Sequence, residues 1–150
     1  LGYFHGMQPT IVHGDLKGAN ILVSSGRACL VDFGLATTRD SQTQLQTNII
    51  SVAGTPSFMA PELLEAPLDR RPCDIFAFGC ICYEMYDGLR PFWDLSPQTV
   101  DTNFMKGNHP SRPTNNVCLQ RGLDDDMWDF IQNLWHHDRK LRATASQASL

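Results

Sequence analysis

The chain has 150 residues, 42% of them apolar and 19% charged, with a formal net charge of −4. That is enough for one domain with a real core, and the dispersed acidic excess excludes an electrostatic footprint for nucleic acid or an anionic membrane. The five cysteines, at 29, 73, 80, 82 and 118, show no paired metal-ligand spacing, so reduced, mostly buried thiols in an intracellular, cytoplasmic protein are expected.

In chain order, "LGYFHG" reads as the tail of a helix stopped at Gly6, and a first residue that is Leu makes the chain look like a piece of a longer one. "ILVSSGRACLVDF" holds two β-rich runs, 21–23 and 28–33, around "SSGR", and reads as a hairpin. Residues 37–51 are polar and weakly periodic, a long loop for a compact domain. "APELLEA" gives a helical turn or two with Pro61 at its start. Residues 74–87 form a helix apolar nearly all round, hence buried, and too short and too charged to span a bilayer. No secretory signal is visible. "SPQTVDTNFMKG" is an amphipathic helix from Ser96 to Gly107, and "NHPSRPTNN" a loop. "LDDDMWDFIQNLWHH" sets Leu123, Met127, Phe130, Ile131, Leu134 and Trp135 on one helical face, with acids in its first turn. A short last helix is expected after Arg142. There is no internal repeat, and the composition is mainly α with a small β-hairpin.

The stretch "VHGDLKGANILV" places Asp15, Lys17 and Asn20 ahead of the hairpin, and "VDFGLA" places Asp32 after it. Transfer of a γ-phosphoryl group needs an acceptor hydroxyl in line, Mg²⁺ on the phosphate oxygens and positive charge where negative charge spreads. Asp15 can accept or orient the hydroxyl proton and Lys17 can reach the phosphate. Asn20 and Asp32 offer the oxygen ligands that hard cations prefer, and the hairpin between them would bring both to one edge. Singly these residues have plainer readings. A lone Asp in a loop is most often a turn or a cap, and His13 is a packed or hydrogen-bonded core residue, since the base role falls to Asp15. Order and spacing of several motifs together favour the chemical reading.

Those motifs resemble the C-terminal lobe of a eukaryotic protein kinase. "HGDLKGAN" is similar to the H-R-D-L-x-x-x-N catalytic loop, "DFG" (Asp32, Phe33, Gly34) to the metal-binding turn, and "APE" at 60–62 to the end of the activation segment. "GTPSFMAPE" is similar to the substrate-facing loop of Ser/Thr kinases. "CDIFAFGCICYEM" resembles the buried central helix, with Phe76 and Ala77 where Trp and Ser are usual, and "HHDRKLRATA" resembles the last conserved block. The likeness covers 1–150 as one kinase C-terminal lobe of the protein-kinase-like α+β fold. It implies ATP and Mg²⁺ as cofactors, a protein substrate, and an N-terminal lobe, absent from this sequence, that would carry a Gly-rich loop and a strand Lys and would cover an apolar inner face. Asp15 would be the catalytic base, Lys17 the γ-phosphate contact, and Asn20 and Asp32 the Mg²⁺ ligands. Thr55 would bridge to Asp15 and Lys17, Glu62 and Arg142 would form a buried ion pair, and Asp74 would brace the backbone around His13. "GDLKGANILV" with "MAPE" most resembles the tyrosine-kinase-like branch, which is mostly Ser/Thr-specific.

Gly14 stands where many kinases carry an Arg that meets a phosphorylated activation loop. Its absence implies a switch that does not run through that contact, although Thr37, Thr38, Ser41, Thr43, Thr47 and Ser51 could be modified for other purposes. "HGD" is also the spelling of aminoglycoside- and choline-type kinases, which usually have His at the position of Lys17 and lack "GTxxxMAPE". A non-catalytic, pseudokinase-like scaffold is the other alternative, and retention of Asp15, Lys17, Asn20 and Asp32 together argues against it.

Overall fold

The computed structural model describes residues 1–38, 54–65 and 69–148. Helix α1, Gly2–His5, ends at Gly6, whose amide closes on the Gly2 carbonyl (3.0 Å). Strand β1, Ile11–Val12, follows, then the hairpin of β2, Ile21–Ser24, and β3, Arg27–Leu30. Ile21 faces Leu30 and Ser24 faces Arg27. The turn is Ser25 (φ 50°) and Gly26 (φ 74°), two left-handed residues whose twist matches that of the strands they join. The second strand, expected to run through residue 33, stops at Leu30. Asp32 has φ 62°, which takes it out of the extended region. Strand β4, Thr37–Thr38, turns the start of the expected long loop into a sheet edge, pairing antiparallel with β1 (Ile11 with Thr38, Val12 with Thr37). Ser41, Thr43, Thr47 and Ser51 lie outside the described residues.

The expected turn at "APELLEA" is a 3₁₀ helix, Pro61–Glu65. Helix α2, Arg71–Asp87, starts three residues before the expected boundary. Pro72 suits a first turn, and the Asp69 carboxylate accepts the Arg71 amide (3.1 Å). The helix ends at Gly88 in the left-handed conformation (φ 88°), with the Gly88 amide on the Glu84 carbonyl. Helix α3, Pro97–Met105, starts at Ser96, whose hydroxyl accepts the Thr99 amide. Helix α4, Asn116–Gln120, starts at the last residue of the stretch expected to be loop and runs on beyond it. The Asn115 side chain caps it at the Cys118 amide (3.0 Å) and Cys118 is buried, which suffices for five residues. Helix α5, Asp125–Leu134, is capped by Asp124 on the Met127 amide (2.8 Å) and carries Asp125 and Asp126 in its first turn. The helix expected after Arg142 does not form within the described residues. Thr144 and Gln147 cap one another there and one amide, Ala148, closes on the Thr144 carbonyl, which is a nucleus without propagation.

The core lies where α2 crosses α5. Gly79 permits that crossing: a Cβ there would stand 3.0 Å from Leu134 Cβ and 3.2 Å from the Trp135 amide nitrogen. Phe76, Phe104, Ile131, Leu134 and Trp135 are fully or almost fully buried, each contributing about 1.5–3 kcal/mol. His109 stacks on Trp135 (centroids 4.8 Å apart, 19° between planes) beside Phe76 and Phe104. Four of the five cysteines are buried, only Cys29 is exposed, and all are free thiols. No helix among the described residues is long and apolar enough to cross a membrane.

Arg142 ties this core to the 3₁₀ helix. Its guanidinium bonds both Glu62 carboxylate oxygens (2.5 and 3.0 Å) and the carbonyls of Pro72 (3.0 Å), His136 (2.7 Å) and His137 (3.3 Å). It also lies 5.0 Å from the Phe76 ring centroid. Glu62→Ala should lower the unfolding free energy by about 3–5 kcal/mol in urea titrations, because it strands a buried cation. Replacing both Glu62 and Arg142 by Met should recover part of that loss.

Burial pushes the His109 imidazole down to about 4 from 6.5, with the positive fields of His137, Arg142 and His136 acting the same way. Its buried Nδ1 has no hydrogen-bond partner among the described residues. Between those pH values the unfolded chain binds the proton and the folded chain does not, so this stabilisation is full above pH 6.5 and lost as pH falls toward 4. The urea midpoint should therefore fall more steeply over that window in the parent chain than in His109→Phe.

Candidate active site

The site grows from the loop that leaves β1. His13 is 2% exposed. Its Nδ1 faces the Asp15 amide (3.4 Å), so Nε2 carries the proton donated to the Val31 carbonyl (3.0 Å), and its ring packs on Phe33. The next residue, Gly14, has φ 82°. A Cβ there would lie 2.7 Å from the Leu35 carbonyl oxygen, so in this arrangement residue 14 has neither the space nor the backbone angle for a side chain. Asp74, 1% exposed on α2, receives the His13 amide on Oδ2 (2.9 Å) and the Gly14 amide on Oδ1 (3.0 Å). These bonds fix the direction in which the chain enters Asp15.

Lys17 Nζ lies 2.6 Å from Asp15 Oδ2 and 3.3 Å from Thr55 Oγ1, so Thr55 reaches Asp15 by way of Lys17. Lys17 opens a 3₁₀ turn, Gly18–Asn20, that feeds β2. Asn20 is buried and its amide group donates to the Asp15 carbonyl (2.8 Å). The Val31 amide donates to the Asn20 carbonyl (3.0 Å), so the base of the hairpin brings Asn20 beside the residue that precedes Asp32. Asp32 is exposed and accepts the Gly34 amide (3.3 Å). Phe33 packs on Phe4 as well as on His13. Asp15, Lys17, Asn20 and Thr55 thus form one bonded cluster, and Asp32, with Phe33 and Gly34, stands at its rim. Glu62, Asp74 and Arg142 lie beneath it, within the scaffold.

A carboxylate beside an ammonium and a hydroxyl can orient a hydroxyl and balance charge on an anion. The amide of Asn20 spends its N–H on a carbonyl, which leaves Oδ1 as a neutral oxygen donor; Asp32 offers an exposed charged one. That donor set fits Mg²⁺, which takes few protein ligands and completes its shell with water and phosphate. The described residues hold no group of three or more His, Cys, Asp or Glu side chains able to enclose a metal ion.

Two neighbours escaped sequence reasoning. His5 Nε2 lies 2.9 Å from Asp74 Oδ2, across 69 residues of chain, and no local pattern marks it. Glu84 approaches the loop from α2 because Gly18 has no side chain: a Cβ there would stand 2.6 Å from Glu84 Oε2. Burial raises the Glu84 pKa, and Arg90 opposes the rise.

Comparison with known proteins gives the family. The family profile described as "Protein kinase domain" matches residues 1–149. A "probable serine/threonine-protein kinase" of Dictyostelium discoideum is 32% identical over 148 residues, covering 98% of this chain and 27% of that protein. "Cell division control protein 7" of Schizosaccharomyces pombe is 39% identical over 133 residues, 88% of this chain and 11% of that protein. "MAP3K epsilon protein kinase 1" of Arabidopsis thaliana is 32% identical over 146 residues, 97% of this chain and 10% of that protein. The chain therefore spans 27% or less of the length of these relatives. With residues 1–149 matched and the loop, hairpin and buried helix arranged as described, this chain belongs to the protein kinase domain family.

Proposed function

We propose that this chain is the C-terminal lobe of a protein kinase that transfers the γ-phosphate of ATP to Ser or Thr of protein substrates, acting with a preceding nucleotide-binding lobe. The observation that carries the reading is the bonded cluster of Asp15, Lys17 and Thr55, with Lys17 Nζ 2.6 Å from the carboxylate and 3.3 Å from the hydroxyl. Asp15 orients the acceptor hydroxyl and takes its proton. Lys17 meets the negative charge that spreads over the transferred group. Thr55, held by Lys17, shapes the space beside Asp15 for an aliphatic hydroxyl. Asn20 and Asp32 would hold Mg²⁺, which when bound neutralises charge on the phosphate oxygens. The names of the relatives support the Ser/Thr class, and the spelling "GDLKGANILV" with "MAPE" is the ground for the tyrosine-kinase-like branch. The free thiols accord with a cytoplasmic protein. Leu22 (57% exposed) and Val23 (74%) on the hairpin, with Phe33 and Leu35 at its foot, give the other lobe an apolar surface to cover.

Gly14 sharpens the regulatory reading. Its left-handed backbone against the Leu35 carbonyl joins the start of the activation segment to the catalytic loop without any charge, and β1–β4 pairing continues that junction. A phosphate on the segment has no cation at residue 14 to meet. Ala at all six of Thr37, Thr38, Ser41, Thr43, Thr47 and Ser51 in the two-lobe protein should leave its activity standing. Abolished transfer would overturn this regulatory reading.

The central test is Mg²⁺-dependent transfer of labelled phosphate from ATP to Ser/Thr peptides by the two-lobe protein. Asp15→Asn should lower the rate by about a hundredfold to ten-thousandfold without changing the urea midpoint. A parent protein no faster than this variant would point to a scaffold instead.

A further inference from the structure

The segment that starts at Gly54 runs close beside Asp15: a Cβ at Gly54 would stand 3.9 Å from Asp15 Oδ1. Any side chain presented to Asp15 must pass this segment, and its flanking residues rest on it. Two hydroxyls of the segment each accept a bond from a cation on a different loop. Thr55 Oγ1 takes one from Lys17 Nζ (3.3 Å), and Ser57 Oγ takes one from Arg90 Nε (3.1 Å). Arg90 lies between α2 and α3 and also donates Nη2 to the Trp93 carbonyl (3.3 Å). A planar guanidinium makes both bonds at once, which locks the stretch after α2 to the segment. Ser57 is 2% exposed, and Arg90 is the partner of its hydroxyl among the described residues. Pro56–Phe58 form one 3₁₀ turn, closed by the Phe58 amide on the Thr55 carbonyl and followed by the Met59 amide on the Pro56 carbonyl. Phe58 belongs to the core, which sets the depth of the turn. So short a 3₁₀ helix has little stiffness of its own, so its tilt is left to the bonds that its side chains make.

We propose that Arg90 is a positioning residue for the Thr55 segment: by donating Nε to Ser57 it sets the tilt at which the segment meets a peptide beside Asp15. Its effect on phosphate transfer rests on the reading given above; the tie between Arg90 and the segment does not. Asp15 holds Lys17 at 2.6 Å without help from the segment. Loss of Arg90 therefore leaves the charged pair in place and loosens the surface on which a protein substrate lies. The effect falls on peptide binding and spares the transfer step.

The test uses the two-lobe protein. Arg90→Ala should raise the KM for a Ser/Thr peptide about tenfold, the scale of one charged hydrogen bond, with kcat and the KM for ATP within about twofold of the parent. Ser57→Ala removes the same bond and keeps the Arg90 charge that opposes the Glu84 pKa rise. It should raise the peptide KM as well, and adding Arg90→Ala to it should change nothing further. Amide hydrogen exchange reads the tie without turnover. In Arg90→Ala, exchange at Phe58 and Met59 should quicken about tenfold, while Ile131 and Leu134 in α5 keep their rates. A peptide KM left as in the parent, a loss confined to kcat, additive effects of the two substitutions, or equal loss of protection across the fold would each overturn the proposal. Should Arg90→Ala fail to fold, Ser57→Ala decides: quickened exchange at Phe58 and Met59 supports the tie, and unchanged exchange overturns it. Quickened exchange in a protein that transfers no phosphate would sink the phosphotransfer reading and leave the tie standing. Unchanged exchange in an active kinase would sink only the role of Arg90.

Discussion

One guanidinium holds the elements of this chain in register. An arginine has five N–H donors in a rigid plane, and Arg142 uses all of them, on Glu62, Pro72, His136 and His137. Its flat face lies over Phe76. Lysine could supply the charge but neither the fork nor the stacking face. Through these bonds the 3₁₀ helix carrying Glu62 is pinned to the first turn of α2 and to the loop after α5. The 3₁₀ helix follows directly on the segment that begins with Thr55, and α2 carries Asp74. The distance between Thr55 and the Asp15 loop is thus set from below by an ion pair that never faces the site.

The first turn of α2 also explains why a helix apolar on nearly every side is not simply a hydrophobic peg. Asp74 is fully buried in it, and burial of a charge is tolerable only where hydrogen bonds take up its lone pairs. Three donors do so, and every one comes from the chain before residue 15. Removing α2 would leave the Asp15 loop without its only described carboxylate clamp, and removing the loop would leave a bare buried charge in the helix. Core and site are therefore one cooperative object.

What could be read from the sequence follows the range of the interactions. Helices α3 and α5 announce themselves through Ser96 with Pro97 and through Asp124 with its acidic neighbours, since a cap and its target amide lie three residues apart. The hairpin is equally local. Asp15, Lys17 and Asn20 were legible because their chemistry is spelled within six positions. Helix α4 was hidden by the Pro- and Asn-rich stretch that leads into it, although Asn115 is an ordinary cap. The pairing of β1 with β4 joins residues 25 and 27 positions apart and the contact of His5 with Asp74 residues 69 apart, and two-residue strands or a lone histidine carry no period by which to find them. Gly14 could be seen as a missing arginine; that it is also a conformational requirement, with Leu35 filling the space, needed coordinates.

The cysteines give the chain a property separate from any phosphate. Burial holds Cys80 well above the ordinary thiol range and Cys82 at about 12, and Cys73 is raised further by the negative field of Glu62, to which its Sγ donates. Only a thiolate attacks alkylating or oxidising reagents at a useful rate, so these three sulfurs are chemically silent while the fold is intact. Cys29, on an exposed strand, is not buried. A reagent added to the folded molecule therefore meets one open sulfur, and each further sulfur it modifies marks an opening of the core around α2, which makes the protein its own clock for unfolding.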